Sequence, residues 1–360
     1  MAYRFKLDES LEKGSRRIAL NQIEIALANI NSDGLSAQNI HECRKALKRT
    51  RALIKVLAPA AGEKSARVLD RRIRDAGRLL SCSRDRTVLL DTISALSKTA
   101  DAPLAAALTV LTAALTLAPV TWPETGPETG SETGPETEAE TGDATAQNEF
   151  MLDDVRGQLE AARQYFEKLT LEQRGVVALK AGLVRSYKDG KKALKTAYKK
   201  RNADSFHDLR KAVQLHWRQM SLLSRAWPEE MALRVAAARE ISQILGEEHD
   251  LELLDQASKV LDGADSAARD VIRMACKERR KALRQRARYR AERLYAEDAG
   301  AFAARVVASW RAAQKIEAGL SETASAAGAV PGAVVAAVAA AGVPRIAAKG
   351  SRQIPARKAG

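Results

Sequence analysis

Residues Ile40 to Leu57 read I-H-E-C-R-K-A-L-K-R-T-R-A-L-I-K-V-L, and two helical patterns are superimposed in them. Ile40, Cys43, Leu47, Thr50, Ile54 and Leu57 recur at alternating steps of three and four, which is the apolar stripe of an α-helix. His41, Arg44, Lys45, Lys48, Arg51 and Lys55 recur at the same steps one position on. At about 1.5 Å of rise per residue this cationic file runs roughly 20 Å. Like charges three and four residues apart repel one another and weaken a helix. A file of positive or protonatable groups therefore points to a ligand that neutralises them together.

The stretch occurs twice. Phe206 to Leu223 reads F-H-D-L-R-K-A-V-Q-L-H-W-R-Q-M-S-L-L, and a shift of 166 sets His207, Arg210 and Lys211 on His41, Arg44 and Lys45. Phe206, Leu209, Val213, Met220 and Leu223 fall on the apolar stripe, while Gln214 and Leu215 stand at the places of Lys48 and Arg49. A later pair, A-G-R-L-L-S-C-S-R-D-R-T-V-L-L and I-S-Q-I-L-G-E-E-H-D-L-E-L-L, matches at an offset of 165. Sequence and order are both kept, which reads as an internal duplication.

H-x-x-R-K on a basic amphipathic helix, followed by L-L-x-x-x-R-D or L-G-E-E-H-D and present twice, resembles the CHAD domain (conserved histidine α-helical domain). The resemblance spans about residues 10 to 318. It implies an all-α fold of two pseudo-two-fold-related helical bundles around a basic cavity that binds inorganic polyphosphate without catalysis. It also implies a cytoplasmic setting, with association to polyphosphate granules. Some members carry a triphosphate-tunnel (CYTH) domain, and none is expected before Leu11. The expected halves are 1–174 and 175–320, with an acidic insert at about 120–149 and a tail over 321–360. The candidate polyphosphate ligands of the first half are Arg17, His41, Arg44, Lys45, Lys48, Arg51, Lys55, Arg71, Arg74 and Arg78. Those of the second are Arg185, Lys188, Lys192, His207, Arg210, Lys211, Arg218, Arg239, Arg273, Arg280 and Arg284.

Charge fits such a partner. The 360 residues carry a net +14 with a pI near 9.8, which favours polyanions. Residues 120–149 hold eight acids and no Lys or Arg, so the remainder carries +14 + 8 = +22. The three cysteines, Cys43, Cys82 and Cys276, are scattered and odd in number, as expected of reduced thiols in a cytosolic protein. The start, M-A-Y-R-F-K-L-D-E-S, shows no apolar export segment.

Helices are predicted over Leu11–Ile30, from Ile40 to near Pro59, and over Lys64–Leu80. Asp85 opens the next, to about Lys98, and Phe150–Leu171 closes the first half. Ala102–Pro119 lacks charge but contains several Thr, so it reads as a buried helix and not a membrane span. Pro123–Gly142, built on P-E-T-G, has nothing to bury and is expected to be a disordered loop. The second half continues with Gly175–Lys200, bearing Arg185, Lys188, Lys192, Lys195 and Lys199 in one stripe, and then the His207 helix. Glu229–Leu245 and His249–Leu261 follow, with Asp250 read as opening a helix after Gly246 or, alternatively, as orienting a neighbouring Arg. Ala267–Ala296 is crowded with Arg, and Ala301–Glu317 is striped by Phe302, Val306 and Trp310.

A linear phosphate chain needs rows of cations, with Arg as a planar fork and Lys as a mobile point charge. His41 and His207 begin the two rows, where imidazole can donate to a phosphate oxygen; His216 falls on the apolar stripe and reads as a hydrogen-bonded core residue. The four histidines are too far apart to suggest a metal site, and no cofactor is called for. Phosphoanhydride hydrolysis needs metal-binding carboxylates or an activated nucleophile, and no P-loop is present. Nucleic acid is the rival partner, since its backbone meets the same rows. Single-strand and RNA binders add aromatic platforms, and only 4% of this chain is aromatic.

Overall fold

The computed structural model describes residues 3–31, 36–80, 85–117, 144–172, 175–261 and 263–327. Among them every regular element is helical: α1 (Leu11–Ile30), α2 (Ala37–Ala61), α3 (Glu63–Leu79), α4 (Asp85–Ser97), α5 (Ala102–Leu117), α6 (Ala144–Glu167), α7 (Lys180–Lys200), α8 (Ala203–Leu222), α9 (Pro228–Ala257), α10 (Ser266–Leu294) and α11 (Ala299–Ala327), with short 3₁₀ turns before α7 and α10. The all-α expectation holds. Helix starts follow local chemistry. Ser10 accepts from the Lys13 amide at 3.2 Å and Ser36 from the Asn39 amide at 3.1 Å, each serving one of the amides a first turn leaves unbonded.

The helices close into two rings. In the first, α1 packs on α2, α2 on α3, α3 on α6 and α6 on α1; in the second the same order runs α7, α8, α9, α10 and back to α7. The rings meet where α2 crosses α7 and α8. Gly182 makes that crossing possible, because a Cβ there would stand 2.0 Å from the Val56 carbonyl oxygen. The sequence halves also exchange helices, for α4 packs on α9 and α5 on α10. Met1–Gln314 is therefore one compact unit, and 174/175 is not a packing boundary.

Three expectations are corrected. Gly246 does not end a helix: α9 runs unbroken from Pro228 to Ala257, so Asp250 lies in its body and caps nothing. The glycine serves contact instead, since a Cβ there would come within 3.0 Å of the Arg210 Nη2. Helix α5 is not buried all round. Leu104, Ala107, Leu108, Leu111 and Leu115 face the core, while Ala105 and Thr109 face water. The boundaries of insert and tail also move, because α6 begins at Ala144 and α11 runs to Ala327. The rest of the P-E-T-G stretch and of the tail, with Cys82, lies outside the described residues. In the second unit, Lys315–Gly360, the described residues are the end of α11, with Ile316 and Leu320 exposed. No helix among the described residues is long and apolar enough to cross a membrane.

Candidate functional site

The apolar stripe of α2 is buried, with Cys43, Leu47, Thr50, Ile54 and Leu57 all under water-excluding neighbours. Burying that stripe fixes where the cations go. His41 and Lys48 are exposed. Arg44 donates from Nη1 to the Gly77 carbonyl at 2.7 Å, placing a positive charge at the C-terminal end of α3, where the helix dipole welcomes it. Lys45 is bound to Glu42 one turn back at 2.8 Å. Arg51 grips Asp70 of α3 with both arms of its fork, at 2.8 and 3.1 Å.

Lys55 is the centre of the arrangement. Its surface is open to solvent, yet crowding by protein holds its ammonium pKa below the ordinary lysine range, and the fields of Arg51 and Lys211 push the same way. Asp70 and Asp189 oppose them. These four neighbours come from α2, α8, α3 and α7, so Lys55 marks the place where the two rings bring their charges together. An open groove of about 570 Å³ runs along α7, lined by Val177, Lys180, Ala181, Val184, Arg185, Lys188 and Asp189, and Asp189 is also a neighbour of Lys55. On its rim Arg185 pairs with Glu63 of α3 across the ring boundary. Lys188, Lys192, Lys195 and Lys199 continue the file along α7 in water and form no ion pair with any described carboxylate. Arg71 of α3 is likewise exposed and forms none.

The ring of His207 on α8 lies 5.1 Å from that of His249 on α9, Arg210 of α8 meets α9 at Gly246, and Lys211 stands 3.7 Å from Asp208. Arg74 and Arg78 flank Asp75 at 3.1 and 3.8 Å. Other candidates hold the fold together. Arg17 binds Glu9 through Nε at 2.9 Å. Arg280 and Arg284 both turn to Glu248, which is only 2% exposed, at 3.1 and 2.6 Å, so they bridge α9 and α10. Arg273 meets Asp270 one turn away at 2.9 Å. Arg218 is buried, and its guanidinium and that of Arg239 lie 4.3 and 4.8 Å from the centroid of the Trp217 ring.

His216 is a core residue, as its stripe position requires, but not a hydrogen-bonded one at Nε2. It sits among the rings of Tyr187, Tyr295 and Phe302. Burial there, with Arg234 adding to it, pushes its pKa down to about 3. Two kinds of participant were not read as part of the site from sequence. One is Arg49, which falls one step off the cationic file. The other is the acids Asp70, Asp189 and Glu63, whose lone positions among bases were the available signal. Among the described residues no three His, Cys, Asp or Glu side chains group as a metal site.

Two helical rings, with cations of both sequence halves close together at Lys55 and a solvent-open groove along α7, define an all-α protein with clustered positive charge. The family model of the CHAD domain matches residues 17–259. That is more than half of the 360-residue chain, and the chain belongs to the CHAD domain family. No curated protein and no solved structure matches it.

Proposed function

We propose that this protein binds inorganic polyphosphate and does not turn it over. The observation that carries the reading is the meeting of Lys55 and Lys211 beside the α7 groove, continued by the lysine file from Lys188 to Lys199. The file rises about 16 Å along its helix, which suits a repeating anion better than a single small one. Family membership supports the same ligand class. Internal carboxylates fit it too: Asp70 and Asp189 favour the charged form of Lys55 against the desolvation that disfavours it, and a phosphate chain adds to their field.

The aromatics near the rows favour polyphosphate over nucleic acid. Arg218 and Arg239 both lie over Trp217, Arg49 lies over Tyr3, and Arg284 over Phe206. Rings covered in this way offer bases no stacking platform. Binding competition among polyphosphate, RNA and duplex DNA at matched phosphate concentration tests the reading. Polyphosphate is expected to win, and the Lys55→Gln/Lys211→Gln protein to bind it at least tenfold more weakly, at the level of charge-assisted contacts. Equal or tighter binding of DNA overturns the reading. Release of orthophosphate from the bound chain would make the protein an enzyme instead. Co-localisation of the tagged protein with polyphosphate granules is the cellular counterpart.

A further inference from the structure

We propose that Arg49, Arg218 and Arg239, gathered around Tyr3 and Trp217, form a discrete site for one tetrahedral oxyanion, a phosphate group in the first instance. The proposal rests on the polyphosphate reading and deepens it by naming a further subsite, built from side chains that do not line the α7 groove. Arg218 is 7% exposed, and its Nη1 donates to the Gln214 carbonyl at 2.8 Å. Its Nε–H is buried with no acceptor among the described residues. Arg49 repeats the pattern from α2: Nη1 reaches Gln22 Oε1 at 3.3 Å, while its Nε–H is also buried and unserved. Arg239 supplies a third guanidinium, exposed, over the same Trp217 ring as Arg218.

Stacking does not account for these donors. A guanidinium N–H lies in its own plane, so a ring face above that plane leaves it without an acceptor. Nor is there a counter-ion among the described residues: none of the three arginines forms an ion pair with a described carboxylate, and Glu42, which feels Arg49 at a distance, is held by Lys45. Tyr3 donates its hydroxyl to the Arg49 carbonyl at 2.9 Å, and burial pushes its pKa up, so it stays neutral. Burial first, then Arg49 and Arg239, bring the Arg218 pKa down to about 10. Elsewhere the chain behaves differently. Arg280 and Arg284 share Glu248, and Arg234 and Arg305 share Glu230 and Glu297. A desolvated cation is costly unless paired, and in the Trp217 cluster no described carboxylate supplies the pairing. A compact oxyanion presents acceptors in several directions at once and can serve the two buried Nε–H groups together with the Arg239 fork.

Trp217 reports on the site, since any anion drawing the guanidiniums off its face changes its fluorescence. The full-length protein is titrated with sodium orthophosphate and with sulfate, against chloride at equal ionic strength, with Trp217→Phe identifying the signal. A saturable response is expected, weakened about tenfold in Arg239→Gln, whose exposed position spares the fold. Arg49→Lys, which keeps the charge and loses the fork, is expected to weaken it as well. If Arg239→Gln weakens long-chain polyphosphate by a similar factor, the site takes a phosphate group of the chain; if only orthophosphate suffers, it takes free phosphate. No saturable response to orthophosphate or sulfate, or an unchanged one in Arg239→Gln, overturns the site. In that case polyphosphate binding that still depends on Lys55 and Lys211 leaves the proposed function standing. Orthophosphate binding lost in Arg239→Gln without any long-chain binding is the reverse outcome.

Discussion

His216 shows how a single side chain can set the response of the fold to acid. Its folded pKa is pushed down to about 3 by burial and by Arg234, against about 6.5 in an unfolded chain. The unfolded state therefore takes up a proton that the folded state refuses, and by linkage stability is lost as pH falls from 6.5 towards 3. At about 1.4 kcal/mol per pH unit, this residue removes about 2 kcal/mol between pH 7 and pH 5. His216→Phe, placed among Tyr187, Tyr295 and Phe302, also removes the unserved Nε2. Urea denaturation of both proteins at the two pH values is expected to show the variant losing about 2 kcal/mol less. Parallel losses would mean that His216 is not the acid-sensitive group. The core placement of this residue was legible from its stripe position. The missing hydrogen bond was not, because the rings around it come from α7, the C-terminal cap of α10 and α11, far off in sequence.

Among the elements, close crossings decide more than propensity does. Gly182→Ala would set a methyl group 2.0 Å from the Val56 carbonyl oxygen, a backbone atom that cannot step aside. The α2–α7 crossing must then widen, at a cost of about 3 kcal/mol or somewhat more. Gly157 in α6 has nothing within 4 Å of such a methyl, so Gly157→Ala is expected to stabilise by about 0.5–1 kcal/mol through helix propensity alone. Opposite shifts of the two denaturation midpoints check the pair, and a destabilised Gly157→Ala would show that α6 is packed more tightly than described. Helix α1 was readable to the residue because its signals are local, with Ser10 at one end and Asn31 at the other. The continuity of α9 was not, because the reason for Gly246 is a side chain arriving from α8. The same holds for the site. The cationic files were visible as periodicity, but periodicity does not tell Lys188, left in water, from Arg284, spent on Glu248.

On the scale of the whole molecule, that difference divides the positive charge into two populations. The arginines of α10 that meet α9 carboxylates add cohesion between two helices and little outward field, as with Arg279 on Glu247 and Arg290 on Glu240 at 2.6 and 2.7 Å. The α7 lysines have no such partners among the described residues. Their counter-charges are mobile ions, which a polyanion displaces on binding, so they should dominate the salt dependence of affinity. For flexible single-stranded polyanions each neutralised phosphate contributes about −0.7 to the slope of log K against log salt. Replacing Lys188, Lys192, Lys195 and Lys199 by Gln is therefore expected to flatten that slope by about 3 for long-chain polyphosphate. Replacing Arg279 and Arg290 should leave it nearly unchanged while loosening the α9–α10 contact. All four lysines are exposed, so the helical signal of the lysine variant should match that of the parent. Affinity measured from 50 to 300 mM sodium chloride separates the two populations. A slope that survives loss of the lysines but falls with the arginines would move the binding surface from α7 to α10.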